Sequence, residues 1–205
     1  MKFDVIEADP PWLYQTWSAA GNAIASRHYP LMTTERLKQL PVGNVADQDC
    51  VLFLWATYPL LPEALDVGKA WGFTYKTIGF NWLKRAKRAN KWHVGMGHWT
   101  RANSEPCLLF TRGTPHRKHA DVLSIVSDCP PDDFYYETMT IIEPVMKHSV
   151  KPEKIYTAIE RLTGSRYLRL FAREKRDGWV SLGNDLTGND IVDDLDAVIR
   201  QEVFV

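Results

Sequence analysis

The chain has 205 residues, 45% of them hydrophobic and 24% charged, with 25 basic side chains balancing 25 acidic ones. These are the proportions of an ordinary globular protein, long enough for a sizeable core and expected to form one domain over residues 1–205. They exclude a disulfide-dense scaffold, because Cys50, Cys107 and Cys129 are odd in number and form no Cys-x-x-Cys; with no bilayer-length apolar run and no signal-peptide pattern, buried thiols in a cytoplasmic, membrane-free setting are expected.

Lys2 to Ala8 carries Phe3, Val5, Ile6 and Ala8 and predicts a strand. It ends in Asp9-Pro10-Pro11-Trp12. The residue before a proline is pushed to extended geometry, which holds Asp9 at the strand tip. Neither proline has an N–H, so the turn is expected to present acceptors, the Asp9 carboxylate and free backbone carbonyls. Trp12 adds a flat aromatic face. This set suits a planar base stacked on Trp12, its exocyclic amine aimed at Asp9 and the Pro10 carbonyl. Acceptors placed where positive charge develops would stabilise attack by that amine on a methyl donor. A plain strand-to-loop turn with a capping Asp and a core Trp uses the same residues.

A long connection from Leu13 to about Tyr29 follows, of the kind that often covers a site. Thr33 or Thr34 caps a predicted helix through Leu40. Val51–Ala56 is a continuous apolar strand, buried on both faces, with Trp55 read as core. Pro62–Trp71 reads as a helix closed by Gly72, and Thr74–Lys84 as a strand rich in β-branched and aromatic residues. Pro106–Thr111 and Val122–Val126 are further strands, and 127–140 a Pro- and Asp-rich loop. Pro152–Leu162 has a helical apolar period; Tyr167–Ala172 and Trp179–Leu182 are extended; Ile191–Val203 is a final amphipathic helix. Strands alternating with helices imply an α/β fold with a mostly parallel sheet and helices on both faces.

Charge is distributed unevenly. No acidic residue occurs from Val67 to Ser104, where Lys69, Lys76, Lys84, Arg85, Lys87, Arg88, Lys91 and Arg101 are basic, while acids gather in the C-terminal tail. Trp92, His93 and Trp99 interleave with the cations. Cations for phosphate beside aromatics for bases are the usual mix for binding nucleic acid. His93, His98, His116 and His119 have no Cys or carboxylate at zinc-like spacing, so no metal site is expected, and His98 is read as holding a loop beside a substrate channel.

Asp9-Pro10-Pro11-Trp12 at a strand end resembles the adenine N6-methyltransferases related to the catalytic subunit of the messenger-RNA adenosine methyltransferase, a family that includes short bacterial and phage DNA methylases. The resemblance continues through 28–33, Val51-Leu52-Phe53-Leu54-Trp55, Trp71-Gly72-Phe73, Trp82-Leu83-Lys84, Gly97-His98-Trp99, Glu105, Cys107, Lys151-Pro152, Leu170-Phe171-Ala172-Arg173 and Leu182-Gly183-Asn184. It implies a Rossmann-like methyltransferase in permuted order, with the catalytic motif first and the cofactor motif last. It also implies S-adenosylmethionine as cofactor, for which no Gly-x-Gly-x-x-Gly is present in this chain. Carried over by position, Asp9, Pro10, Pro11 and Trp12 are the catalytic motif. Asp9, Lys151, Phe171, Arg173, Asn184 and Asp185 hold the cofactor, with Lys151 toward its methionyl carboxylate and Asn184 toward its ribose. Tyr29, Lys84, Arg85, Lys87, Arg88, His98 and Trp99 meet the substrate. The chain departs from the family's pattern at Asp185, usually glutamine, at Lys175, usually histidine, and at Arg169, usually glutamate. DNA is the expected substrate and RNA its nearest rival, acted on by a monomer or homodimer in a bacterial or phage-infected cytoplasm. A catalytically silent nucleic-acid-binding member and a small-molecule amine methyltransferase are the other readings.

Overall fold

A computed structural model of the chain describes residues 1–13, 30–84, 95, 99–127 and 151–201. In chain order the described elements are β1 (Phe3–Ala8), α1 (Thr34–Lys38), β2 (Ala46–Trp55), α2 (Leu61–Ala70), β3 (Thr74–Leu83), β4 (Ser104–Arg112), β5 (Ile125–Ser127), α3 (Glu153–Leu162), β6 (Tyr167–Leu170), β7 (Trp179–Leu182), α4 (Asn184–Thr187) and α5 (Ile191–Ile199). The strands form one sheet in the order β5-β3-β4-β2-β1-β6-β7. β1 pairs in parallel with both β2 and β6, β6 with β7, and β3 with β5. β4 pairs antiparallel with β2 and with β3, so it alone runs against the others. The chain thus steps from β1 to one side and returns to its other side at β6. A ligand crevice is expected where strand order reverses in this way, at the carboxyl ends of β1 and β6.

Alternation along the strands separates two cores. Ile6, Ala8, Leu52, Leu54, Leu108, Phe110 and Leu168 point to the side covered by Leu37 of α1, Ala64 and Val67 of α2, and Ile191, Leu195 and Val198 of α5. Val5, Val51, Phe53, Trp55, Phe80 and Cys107 point to the other side, under Ile155, Tyr156 and Ile159 of α3. Helices therefore lie on both faces, and β2 is buried on both, as its apolar run implies.

Boundaries moved for local reasons. β2 begins at Ala46, ahead of the apolar run, because Ala46 pairs with Phe3 of β1 before a register irregularity that takes in the polar 47–49. Thr33 caps α1 with its hydroxyl accepting from Arg36 N at 3.2 Å. β6 stops at Leu170 rather than Ala172 because Phe171 turns to φ 62°. α5 ends at Ile199, four residues short of expectation, just before Gln201 at φ 63°. Only Ile125–Ser127 of the fifth strand pairs. Cys50 and Cys107 are buried free thiols; Cys129 and the expected loop at 128–140 lie outside the described residues, as do 14–29.

Candidate active site

Backbone bonds fix the Asp9 turn. Asp9 N donates to Leu170 O at 3.4 Å, tying the end of β1 to the end of β6. Trp12 N donates to Pro10 O at 2.9 Å, Met32 N to Pro11 O at 2.8 Å and Leu13 N to Met32 O at 3.0 Å. The two proline carbonyls are therefore engaged, contrary to the expectation of free acceptors; each keeps one lone pair at most for a substrate. Trp12 Nε1 donates to Trp55 O at 3.0 Å and the indole packs against the core. The ring braces the turn against β2, and it lines neither of the two cavities beside Asp9.

Asp9 meets a buried lysine. Lys151 Nζ donates to Asp9 Oδ2 at 2.7 Å and lies 3.0 Å from Glu105 Oε1; the lysine side chain is 3% exposed and that of Asp9 23%. Its ammonium also sits 4.9 Å from the centre of the Trp55 ring. Glu105 reaches this point because β4 is antiparallel: its first residues lie at the edge where β1 and β6 end. Lys84, the residue after β3, pairs with Glu105 and stands 4.7 Å over the Trp82 ring. Two acids thus share one buried cation. Burial alone would raise the pKa of Glu105, but Lys151 and Lys84 outweigh it and hold the group at about 2. Burial raises Asp9, with Glu105 adding to the rise and Lys151 opposing it. Burial works against the Lys151 charge, yet the two carboxylates raise that group above its ordinary value. Asp9 is the acid left short of positive charge, hence the better acceptor for a further N–H.

Two cavities meet at Asp9 and the 171–173 turn. One, of about 560 Å³, is lined by Glu7, Asp9, Lys151, Tyr156, Arg169 and Arg173, among others. The other, of about 140 Å³, includes Asp9, Pro11, Met32, Phe171, Asn184 and Asp185. Phe171 carries the left-handed backbone that costs a non-glycine residue roughly 1–3 kcal/mol and is found where function requires it. Ala172 N donates to Leu182 O at 2.9 Å, and a Cβ on Gly183 would stand 2.3 Å from Ala172 O. Only glycine lets these two loops close the floor between the cavities.

These residues fit S-adenosylmethionine. The larger cavity is within the size range of small-molecule sites and offers charges of both signs for a zwitterionic end. The smaller one offers Asn184 and Asp185 as hydroxyl partners beside apolar walls. Asp9 stands where the two join.

The structure brings together Asp9, Lys151, Phe171, Arg173, Asn184 and Asp185, and places Pro11 on the smaller cavity. It does not bring Pro10 or Trp12 to either cavity. Lys84 is engaged with Glu105, and Trp99 is fully exposed and lines neither cavity. Tyr29, Arg85, Lys87, Arg88 and His98 lie outside the described residues. Sequence reasoning gave no role to Glu105, Glu7 or Tyr156. One signal for Glu105 was available: it is the first acid after the acid-free stretch, at the start of a strand.

Comparison with known proteins agrees with this geometry. The MT-A70 family model matches residues 3–185. The chain is 28% identical over 212 residues to the Type II methyltransferase M.MunI of a Mycoplasma species, covering 93% of this chain and 80% of that protein. It is 30% identical to the N(6)-adenosine-methyltransferase MT-A70-like protein of Drosophila melanogaster and 29% identical to the human N(6)-adenosine-methyltransferase catalytic subunit METTL3, in each case over 94% of this chain. It spans only 28% and 30% of those two longer proteins. The strand-tip acid, the doubly paired lysine and the matched span together place the chain in the MT-A70 family of S-adenosylmethionine-dependent methyltransferases.

Proposed function

We propose that this chain transfers a methyl group from S-adenosylmethionine to the exocyclic N6 amine of adenine in DNA. The observation that carries the reading is Asp9, held by Lys151 at the junction of two cavities with its own charge under-compensated. Bound S-adenosylmethionine supplies an electrophilic methyl carbon. Asp9 accepts one N–H of the adenine amine and turns the nitrogen lone pair toward that carbon. Asp9 would stabilise the positive charge that the nitrogen gains on taking the methyl group from the departing thioether, and would accept its proton. Lys151 positions Asp9, Glu105 holds Lys151, and Lys84 holds Glu105. Asn184 and Asp185 hold the ribose, Phe171 and Arg173 flank the nucleoside, and Arg85, Lys87 and Arg88 with Tyr29, His98 and Trp99 serve the nucleic acid.

The alignment across four-fifths of a Type II methyltransferase supports DNA. RNA is the second reading, favoured by the 29–30% identity to N(6)-adenosine methyltransferases. Incubation with labelled S-adenosylmethionine and separate DNA and RNA pools, followed by nucleoside analysis, decides between them. Labelled N6-methyldeoxyadenosine is expected; label only in N6-methyladenosine assigns RNA, and label in neither pool overturns the reading. Asp9→Asn should lower turnover by about 100-fold or more with its circular dichroism unchanged.

A further inference from the structure

Glu7 lies two residues before Asp9, on the same face of β1. It lines the larger cavity and is 1% exposed. Its Oε2 meets Arg169 Nε at 3.4 Å, while Oε1 is buried and has no hydrogen-bond partner among the described residues. A buried carboxylate oxygen without a donor is costly, and native structures rarely keep one without a reason. The nearby cations are spoken for. Arg169 Nη2 donates to Tyr156 Oη at 2.7 Å and Nη1 to Glu174 O at 3.3 Å, with the guanidinium 4.3 Å over the Tyr156 ring. Lys151 serves Asp9 and Glu105. Among the described residues the donor left beside Glu7 is the Trp55 indole N–H, which like Oε1 is buried without a hydrogen bond of good geometry, so the cavity ends on an acceptor that a ligand's donor can still satisfy. Of the two partners of a methyl transfer, the adenine amine belongs at Asp9. A sulfonium has no proton to donate, and the ribose hydroxyls fall to Asn184 and Asp185. The donor that remains is the α-ammonium of the methionyl end.

We propose that Glu7 Oε1 is the acceptor for the α-ammonium group of bound S-adenosylmethionine and so selects an amino-acid-bearing methyl donor. This rests on reading the cavity as the methyl-donor site. The groups facing Glu7 are Asp9 on its own strand, Arg169 from β6, Tyr156 from α3, Lys151, Cys107 from β4 and Trp55 from β2. Burial lifts the Glu7 carboxyl to about 7, against the pull of Arg169; an arriving ammonium favours its ionised form and expels its proton.

The test is calorimetric and needs no turnover. S-Adenosylhomocysteine and its analogue with hydrogen in place of the α-amine are titrated into wild-type protein and Glu7→Gln. Removing the amine should weaken binding to wild type by about tenfold or more, the scale of a charge-assisted hydrogen bond, and to Glu7→Gln by less than about threefold. Equal losses in both proteins overturn the assignment while leaving the methyl-donor site standing. No binding of S-adenosylhomocysteine to wild type overturns the site and the assignment together. A second measurement uses wild type alone: titrations near pH 7 in buffers of different ionisation enthalpy should show protons released on binding, and no release at any pH from about 6 to about 8 overturns the proposal even if the variant fails to fold.

Discussion

Lys151→Met is the sharpest probe of the buried triad. The substitution keeps a chain of similar length at a site where the side chain is 3% exposed, and removes the cation that Asp9 and Glu105 share. Holding Glu105 at about 2 rather than at its ordinary 4.5 corresponds to about 3 kcal/mol of stability, in line with the 3–5 kcal/mol typical of breaking a buried pair. The sign follows from the depressed pKa. That contribution is fully present above 4.5 and is lost only as pH falls from there toward 2. Between pH 7 and pH 5 Glu105 stays charged in the wild type and adds no pH dependence there. In the variant Glu105 keeps Lys84, but Asp9 loses its lysine and faces the Glu105 charge across a buried site, so both carboxyls rise and the folded state takes up protons that the unfolded chain does not. Urea unfolding followed by tryptophan fluorescence should therefore show the variant about 3 kcal/mol weaker at pH 7, with the gap narrowing by up to about 1.4 kcal/mol per pH unit for each proton bound as pH falls to 5. Glu7, whose carboxyl Lys151 also helps to hold down, rises further in the variant and adds to the same narrowing. A loss under about 1 kcal/mol, or one that is the same at both pH values, would refute the shared-lysine argument. So would a loss that Glu105→Gln in the same chain does nothing to relieve.

Glu7→Gln should behave in the opposite sense. The folded carboxyl sits near 7 and the unfolded one at 4.5, so the charged side chain weakens the fold progressively as pH rises from 4.5 to 7. The variant should be more stable than wild type at pH 8, by about 3 kcal/mol at most, and little different at pH 4; thermal melts across that range check it. Gly183→Ala puts a methyl 2.3 Å from Ala172 O and 2.8 Å from Ala172 N, which should cost roughly 1–3 kcal/mol and weaken S-adenosylhomocysteine binding. Trp12→Phe removes the bond to Trp55 O and should lower stability by about 1 kcal/mol. Unchanged stability with weaker substrate capture would return Trp12 to a stacking role.

What could be read from the chain was local. The apolar runs at β1, β2 and β6, the capping Thr33 and the proline pair after Asp9 all have near-neighbour causes, and they placed the strand tip correctly. The carboxylate's partners were not visible together, because the lysine stands 142 positions away and Glu105 arrives on a strand running backwards. Nothing in a periodic pattern distinguishes a parallel β4 from an antiparallel one. The role of the indole stayed open for a similar reason. Trp12 beside an acid suggests a stacking platform, and only the approach of β2 reveals that its N–H is committed to a carbonyl 43 positions on. Phe171 carries an unusual backbone angle that no residue type announces, so the end of β6 was placed two residues late.

The antiparallel β3–β4 pair has a further consequence. The chain leaves the sheet at Lys84 and re-enters at Asn103, where Lys84 N donates to Asn103 O at 2.8 Å, and the Lys84 side chain closes the same stem onto Glu105. These two contacts clasp the stem on either side of residues 85–102. Such an excursion can be lengthened, shortened or exchanged while the register of the strands and the chemistry at their tips stay fixed. Transplanting another relative's 85–102 onto the same stem is therefore the direct way to ask whether that stretch carries target choice.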